Sequence, residues 1–345
     1  MTKGSNTSYN HDTLLLERFA CRKMFCLNLF SVFLLYVSSV IAATARTSPP
    51  SGAKVVRQSG TQSGEFSTIS SAVASLSSSG GTIFIYPGTY NEQVSINVPN
   101  VQVLCYTTDI SSYKQNVVTI THNLNAQDNG GNDACATLRA EKDNFKLYNC
   151  NIKNTFGQGK QATAVAARGT KVGFYGAGMY GYQDTLLADG GYQYYSNRYI
   201  EGAVDYIYGK ASAWFGECTL ASNGGGSITA NSRESASDPS YYVIDHSTIV
   251  QASSATSSLS SKVYLGRPWR VLARVVFQNS ALPNLINAAG YSTLAAGATP
   301  IFSEYGNTGA GAGTSQRVTY TPINAAIFKN AVLGSDWSSW TDTSY

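Results

Sequence analysis

GYQDTLL, residues 181–187, and GAVDYIY, residues 202–208, share one frame: a glycine, two variable residues, an aspartate and an apolar stretch. The two aspartates, Asp184 and Asp205, are 21 residues apart. A related segment, GKQATAV, begins at Gly159, 22 residues before Gly181. A motif that recurs at such an interval is typical of repeat architectures, in which each repeat is a structural unit stacked on the one before it.

A second series of short, strand-like segments recurs along the same part of the chain. Its members are LYNCNI from Leu147, FYGAGM from Phe174, WFGECTL from Trp214, YVIDHSTI from Tyr242 and VVFQNSAL from Val275. Aligning them predicts one stacked, buried column that contains Cys150, Ala177, Asn197, Cys218 and His246. Hairpins would place strands every 8–12 residues, and a βαβ fold would need a helix in each interval. The pattern therefore predicts an all-β fold, a parallel β-helix whose single chain winds in coils of about 22 residues; a β-sandwich with accidental similarity is the alternative.

Two segments outside the repeats are predicted to cover parts of the β-helix, and the first of them has the features of a helix. In FSTISSAVASLSSSGG, the apolar residues Phe66, Ile69, Val73 and Leu76 fall on one face before a glycine pair ends the pattern. We expect this short N-terminal helix to cap the open edge of the first coil, which would otherwise expose unpaired backbone groups. Near the C-terminus, INAAIFKNAVL is predicted to cover part of a sheet.

The N-terminus has the outline of a secretory signal peptide. Arg22 and Lys23 precede an apolar stretch, residues 24–45, which ends in small residues. An uncleaved membrane anchor is the alternative, and either Met1 or Met24 is the start of translation. We expect residues 1–45 to be removed and residues 46–345 to form a single extracellular catalytic domain, without a membrane partner.

Charge and cysteine content exclude several classes of function. The formal net charge is +4 and no Lys/Arg cluster is present, which argues against nucleic-acid binding. Four cysteines remain after residue 45, namely Cys105, Cys135, Cys150 and Cys218, and they allow up to two disulfides. Cys150 and Cys218 are predicted to lie three coils apart, too far to pair, whereas Cys105 with Cys135 stays possible. There is no C-x-x-C or H-E-x-x-H, so we expect no metal site and no cofactor.

The repeated aspartates point to acid–base or nucleophilic chemistry. If one coil separates them, the carboxylates of Asp184 and Asp205 lie about 5 Å apart. At an effective dielectric constant near 20, their repulsion is about 3 kcal/mol, so the pair tends to hold one proton, an acid beside a base or nucleophile. An aspartate pair that caps turns or binds calcium is the alternative. Adjacent strand residues face opposite ways, so Gln183 and Asp184 can share a cleft only if the strand bends or ends there.

Five segments resemble those of a known family, the pectin methylesterases. They are GYQDTLL, EGAVDYIYGKASAWF from Glu201, YLGRPWR from Tyr264, KQATAVAARG from Lys160 and EYGNTGAGA from Glu304. The resemblance extends from about Val55 to Trp340. It implies a right-handed parallel β-helix that hydrolyses the methyl esters of pectin (methylated homogalacturonan) to pectate and methanol. It also implies a monomer without a cofactor.

The resemblance also implies roles for three charged residues. Asp205 matches the nucleophile that attacks the ester carbonyl. Asp184 matches the acid that protonates the departing methanol and then the base that activates water. Arg267 matches the arginine that hydrogen-bonds the nucleophile, and a planar guanidinium suits a carboxylate because it donates two parallel bonds.

Four uncharged residues complete the set that the resemblance implies. Gln183 and Gln161 match donors that stabilise the tetrahedral oxyanion, and their spacing of 22 residues, one coil, lets them converge. Trp269 and Tyr206 match aromatic walls of the sugar site. Two interpretations compete with this one. A pectate lyase needs calcium-binding carboxylates and a base, and a polygalacturonase needs a set of acids that flank the glycosidic bond, and the motifs match neither. A β-helix that only binds polysaccharide is expected to lack one of the two aspartates or Arg267, and all three are present.

Overall fold

The computed structural model describes Met1, Gly4 and residues 45–345. The chain divides into two units, residues 1–43 and 44–345, and all of the helices and strands described here belong to the second. Except for Ala45, the predicted signal peptide lies outside the described residues. Within the part of the chain that the structure describes, no helix combines the length and apolar character needed to cross a membrane.

Three parallel sheets wind around a common interior. Sheet 1 has ten strands in the order Lys54–Val56, Gly81–Ile85, Val101–Cys105, Lys146–Tyr148, Val172–Tyr175, Tyr192–Ser196, Ser212–Gly216, Tyr241–Asp245, Arg274–Gln278 and Ile301–Tyr305. Sheet 2 has seven strands, Val94–Ile96, Leu138–Ala140, Val165–Ala167, Leu186–Ala188, Ile207–Gly209, Gly226–Asn231 and Val263–Pro268. Sheet 3 has seven strands, Gly88–Asn91, Val118–His122, Asn151–Asn154, Gly178–Tyr180, Tyr199–Gly202, Thr219–Ser222 and Thr248–Gln251. In each sheet the neighbouring strands come from successive coils, which confirms the predicted parallel β-helix.

The coil length varies along the helix. Val165 pairs with Leu186 and Leu186 with Ile207, so these central coils advance 21 residues each. Nearer the N-terminus, Val94 pairs with Leu138, an advance of 44 residues. The extra residues lie in loops between strands, because the strands themselves keep three to six residues. The prediction of about 22 residues therefore holds for the coils that carry the repeated aspartates.

A residue with a left-handed backbone conformation directly follows most strands of sheet 1. The equivalent positions are Asn149, Gly176, Asn197, Glu217, His246, Asn279 and Gly306, all with φ between 46° and 63°. Asparagine and glycine tolerate this conformation better than other residues. This column is the turn between sheets 1 and 3, and it repeats because each coil turns at the same place.

The predicted buried column is therefore wrong at two positions. Tyr175 pairs with Ser196 and Gly216 with Asp245, which places Arg198 and Ser247 in the column of Cys150 and Cys218. Asn197 and His246 fall one residue earlier, in the turn, and the His246 side chain is 64% exposed. A slip of one residue exchanges the inner and outer positions of a chain in extended conformation.

The interior is packed by stacked apolar side chains. Phe174, Tyr195 and Phe215 come from successive strands of sheet 1, with ring centroids 5.3 Å and 4.6 Å apart. Arg198 is fully buried next to the rings of Phe174 and Tyr195, and burial lowers its pKa to about 9. All four cysteines after residue 45 are buried free thiols, so the Cys105–Cys135 disulfide that the sequence left open is not formed.

Within residues 45–345, three short helices accompany the sheets, together with a 3₁₀ turn at Tyr113–Gln115. Helix Ile69–Ala74 lies inside the segment predicted to be helical, begins after Thr68, whose side chain accepts from Ser71 N–H, and contacts the first strands of sheets 1 and 2. Helices Lys329–Leu333 and Trp337–Trp340 lie near the C-terminus. Val332, Leu333 and Trp340 pack on the outer face of sheet 1, so the C-terminal segment covers that sheet, as predicted.

Candidate active site

The repeated aspartates lie at equivalent positions of neighbouring coils. Leu186 pairs with Ile207, and Gln183 forms an isolated bridge with Val204, so Asp184 and Asp205 are aligned between these two pairs. Both aspartates have left-handed backbones, with φ of 64° and 49°. The chain thus bends just before strands Leu186–Ala188 and Ile207–Gly209, which is the bend that the sequence required for Gln183 and Asp184 to approach one site.

The glycine of each motif makes this bend possible. A Cβ atom on Gly202 would lie 2.2 Å from the Cβ of Tyr206, and one on Gly181 would lie 2.6 Å from the Oγ1 of Thr185. No real Cβ makes contacts this short, so the close approach of the chain four residues later requires glycine. The G-x-x-D frame is therefore a consequence of the turn that presents the aspartate.

Asp205 is held by a bidentate ion pair. Arg267 Nε donates to Asp205 Oδ1 at 2.8 Å and Arg267 Nη2 donates to Oδ2 at 2.7 Å. Arg267 lies on strand Val263–Pro268 of sheet 2, two strands beyond the one that follows Asp205. Burial raises the pKa of Asp205 above its ordinary value, and the bonds from Arg267 oppose that change. The predicted contact between these two residues is present.

Asp184 is more deeply buried than Asp205 and has different partners. Its Oδ2 accepts from Asn132 Nδ2 at 2.7 Å and from Gln161 Nε2 at 2.8 Å, whereas its Oδ1 has no protein partner within residues 45–345. Burial, and to a smaller extent the charge of Asp205, raise the pKa of Asp184 to about 7. The sequence analysis attributed the shared proton to repulsion between the two carboxylates. In the structure, burial is the larger cause of the raised pKa of Asp184.

A cleft of about 590 Å³ opens in front of Asp205. Asp205, Arg267, Trp269 and both predicted glutamines, Gln161 and Gln183, line it. Asp184 lies behind this surface, 1% exposed, and reaches it through Gln161. Both glutamines line the same cleft, as predicted. They are one residue out of register, because the residue that hydrogen-bonds to the Gln183 carbonyl is Ala162, which follows Gln161 in the chain.

One of the two predicted aromatic walls is in the wrong place. Trp269 lines the cleft, but Tyr206 is fully buried in the interior of the β-helix, where its hydroxyl meets that of Ser222. The left-handed residue Asp205 turns the following side chain inward. Tyr208, two residues later, stacks on Trp269 with ring centroids 5.3 Å apart and lines an adjoining cavity of about 320 Å³.

Sequence reasoning missed several residues of the site. Asn132 comes from a loop 52 residues before Asp184, and no repeat or motif marks it. Glu234, Arg270 and Leu294 line the outer part of the cleft and also lie outside the motifs. Within the described residues, no three His, Cys, Asp or Glu side chains are grouped so as to hold a metal ion.

A parallel β-helix with two aligned aspartates beside an open cleft fits one class, the β-helical carboxylic ester hydrolases. A family model described as Pectinesterase matches residues 54–335, and this chain belongs to that family. The Pectinesterase A of Emericella nidulans is 55% identical over 305 residues, which cover 88% of this chain and 92% of that protein.

Solved structures agree with this assignment. The crystal structure of the deglycosylated pectin methylesterase from Aspergillus niger has a TM-score of 0.84 and 50% identity, and the match covers 87% of this chain and all of that one. The pectin methylesterase from carrot has a TM-score of 0.77 and 30% identity, with 85% of this chain and 97% of that one covered.

Proposed function

We propose that Asp205 and Asp184 carry out the hydrolysis of pectin methyl esters that membership of the pectinesterase family assigns to this chain. The observation that carries the proposal is the contrast between two aligned carboxyl groups. Arg267 binds Asp205 through two parallel hydrogen bonds, whereas Asp184 forms no salt bridge within residues 45–345 and has a pKa of about 7. Such a pair has an ionised member and a protonated member at mildly acidic to neutral pH.

Asp205 is the nucleophile of this mechanism. One of its oxygens attacks the ester carbonyl carbon of a methylated galacturonate, forming a tetrahedral intermediate whose oxyanion forms from the carbonyl oxygen. Arg267 fixes the direction of attack and keeps Asp205 ionised, and each carboxylate oxygen retains a lone pair beside its bond to Arg267.

Asp184 is the general acid and then the general base of this mechanism. Because Oδ2 accepts from two amide groups, the proton belongs on Oδ1, the oxygen without a partner. The C–O bond to methanol breaks as Oδ1 gives its proton to the leaving oxygen, and an acyl-aspartate anhydride remains on Asp205. Asp184 then takes a proton from water, the hydroxide attacks the anhydride, and pectate leaves with Asp205 regenerated.

Gln183 and Gln161 supply the amide donors for the oxyanion. Both line the cleft beside Asp205, and one N–H of Gln161 is already engaged with Asp184, so its second N–H is the one available. A donor of this kind contributes about 3 kcal/mol to the stability of the transition state. Trp269, which stacks on the buried ring of Tyr208, provides an aromatic surface on which a sugar ring packs.

Methanol release from highly methylated pectin tests the proposal. We expect wild-type protein to release methanol without unsaturated products or new reducing ends, which a lyase or polygalacturonase would generate. Asp205→Asn and Asp184→Asn should both lose at least about 1,000-fold in kcat while keeping the circular dichroism spectrum of the wild type. Glu234→Gln, an exposed carboxyl group in the same cleft, is the control and should retain activity.

Two results would contradict this mechanism. Substantial methanol release by Asp205→Asn would exclude that residue as the nucleophile. Mass spectrometry of wild-type protein quenched during turnover gives a second test. An acyl group found on a peptide that lacks Asp205 would also exclude Asp205 as the nucleophile.

We also propose that the enzyme acts outside the cell as a monomer on pectin, with residues 46–345 as its catalytic domain. The apolar stretch at residues 24–45 and the small residues at its end support secretion. Mass spectrometry of the N-terminus of the secreted protein tests this, since an intact segment 24–45 would be inconsistent with signal cleavage. Light scattering tests the oligomeric state.

A further inference from the structure

A second cavity, of about 590 Å³, lies on the outer face of sheet 1, away from the aspartates on sheet 2. The C-terminal segment forms one wall through Phe328, Lys329 and Trp337, and sheet 1 forms the other through Trp214 and Asp245. Phe328 is 73% exposed although it is apolar. The proposed catalytic mechanism uses none of these residues.

The cavity contains a buried donor without an acceptor. Trp214 is 3% exposed, and its Nε1–H has no partner among residues 45–345. A Cβ atom on Gly216 would lie 3.2 Å from this nitrogen, so glycine leaves open the space next to the N–H. Gly216 pairs with Asp245, and Asp245 pairs with Gln278, so the three residues lie on the same face of sheet 1. Asp245 and Gln278 both line the cavity. Trp214 thus lines the cavity with an indole N–H that has no acceptor among residues 45–345.

Lys329 supplies the positive charge at the cavity, and the carboxylate of Asp245 is engaged by neighbouring side chains. Asp245 is already satisfied, because Oδ1 accepts from Gln278 and Asn279 at 3.0 Å each and Oδ2 pairs with His246 Nδ1 at 2.8 Å. Lys329 Nζ donates to the neutral Tyr194 hydroxyl at 3.1 Å and has no carboxylate within 4.0 Å in the part of the chain described. It lies 5.0 Å from the ring centre of Trp337 and 5.8 Å from that of Trp214.

We propose that this cavity binds an acidic sugar, a uronate unit of the galacturonan chain. A uronate offers a carboxylate to Lys329, a hydroxyl oxygen to the Trp214 N–H and an apolar C–H face to Trp337 and Phe328. Tryptophan beside a cation suits a ligand with one apolar face and one charged edge. De-esterification creates carboxylates, so the site binds the product of the reaction and tethers the polymer while other stretches reach the cleft. The inference does not depend on the roles of Asp184 and Asp205.

Hydrogen–deuterium exchange of the full-length protein with trigalacturonate tests the proposal, because it reports each region separately. We expect slower exchange in peptides that contain residues 241–246 and 326–330, in addition to any change around the cleft. The fully amidated trimer, which is uncharged and has no ester for the enzyme to cleave, should require at least tenfold higher concentration for the same protection there, and maltotriose should give none. Equal protection by all three sugars, or no protection of these peptides at any concentration, would overturn the proposal.

Variants separate this site from the cleft. Lys329→Met keeps the side-chain stem and removes the charge, and should weaken the local protection by trigalacturonate at least tenfold. Phe328→Ser, at an exposed position where folding is not at risk, should weaken it about threefold. Lys171→Met is the matched control, because Lys171 pairs with exposed Asp336 and does not line the cavity. Unchanged protection in both Lys329→Met and Phe328→Ser would refute the site even if methanol release proceeds as proposed.

Discussion

At the scale of single residues, the site depends on one cation with a fixed shape. Arg267 donates from Nε and Nη2, and these two parallel bonds set the plane of the Asp205 carboxylate. A lysine in its place would keep the positive charge but present a single flexible ammonium group. Charge and orientation are therefore separable at this position.

Arg267→Lys should lower kcat about 10- to 100-fold with little effect on folding. The loss corresponds to one hydrogen bond between charged groups, about 1.5–3 kcal/mol, that orients the nucleophile. Methanol release and thermal melting measure the two effects. Turnover close to that of the wild type would mean that Arg267 acts on Asp205 only through its charge.

Asn132 is a positioning residue for Asp184. Its amide donates to the Oδ2 of the carboxyl group, a bond that favours the ionised form and so lowers the pKa. In the proposed mechanism the protonated form of Asp184 releases methanol, so activity should fall as pH rises through the pKa of about 7.

Removing that donor should therefore move the alkaline limb of the pH–rate profile to higher pH. We expect Asn132→Leu to raise the pH at which kcat is half-maximal, while the acidic limb, which reports Asp205, stays in place. Asn129→Leu is the control, because Asn129 donates to a backbone carbonyl of the same loop and has no bond to Asp184. An alkaline limb that is the same in both variants would show that Asn132 has only a structural role.

At the scale of elements, the sequence predicted the repeat more accurately than the register. The aspartate frame recurs because each coil must bend at the same place, and this geometry needs glycine three residues earlier. The sequence did not predict that Asn197 and His246 lie in the turn, because the turn positions carry different residue types in different coils. The alignment was therefore wrong by one residue at these two positions. Tyr206 was misplaced for a related reason, since the left-handed Asp205 reverses the side on which the next residue lies.

The sequence did not predict contacts that loop residues make with the rest of the β-helix. Asn132 reaches Asp184 across 52 residues, and the Glu304–Arg317 pair closes the last coil, with both side chains almost fully buried. Neither contact follows from periodicity, because loops between strands are free to vary in length. The only sign in the sequence was that Glu304 begins one of the five segments that resemble the pectin methylesterases.

The Glu304–Arg317 pair should be a major stabiliser of the C-terminal coil. Arg317 Nε and Nη2 donate to the two carboxylate oxygens of Glu304 at 2.6 Å and 3.1 Å, and the guanidinium also bonds to backbone carbonyls, among them that of Gly311. Arg317→Met would leave a buried carboxylate without a partner, at a cost of about 3–5 kcal/mol. Urea unfolding measures this, and the double variant with Glu304→Leu should recover much of the loss. A double variant less stable than Arg317→Met would contradict this explanation.

At the scale of the whole molecule, the site is built at the expense of stability. Asp184 has an ordinary pKa of 3.8, which burial raises to about 7 in the folded chain. Such a carboxyl group favours folding when protonated, and this contribution is present below the unfolded pKa and is lost as pH rises toward the folded one. The window in which stability declines on this account therefore runs from about pH 4 to about pH 7.

Asp184→Asn should abolish catalysis and yet stabilise the fold above neutral pH. The amide cannot ionise, so the variant avoids the cost of a buried charge, on the order of 4 kcal/mol at pH 8 when each pKa unit is worth about 1.4 kcal/mol. At pH 4 the wild-type carboxyl group is protonated and the two proteins should melt at similar temperatures. Melting temperatures measured from pH 4 to pH 8 should therefore diverge steadily in favour of the variant, and parallel curves would mean that Asp184 ionises in the folded protein as easily as in water.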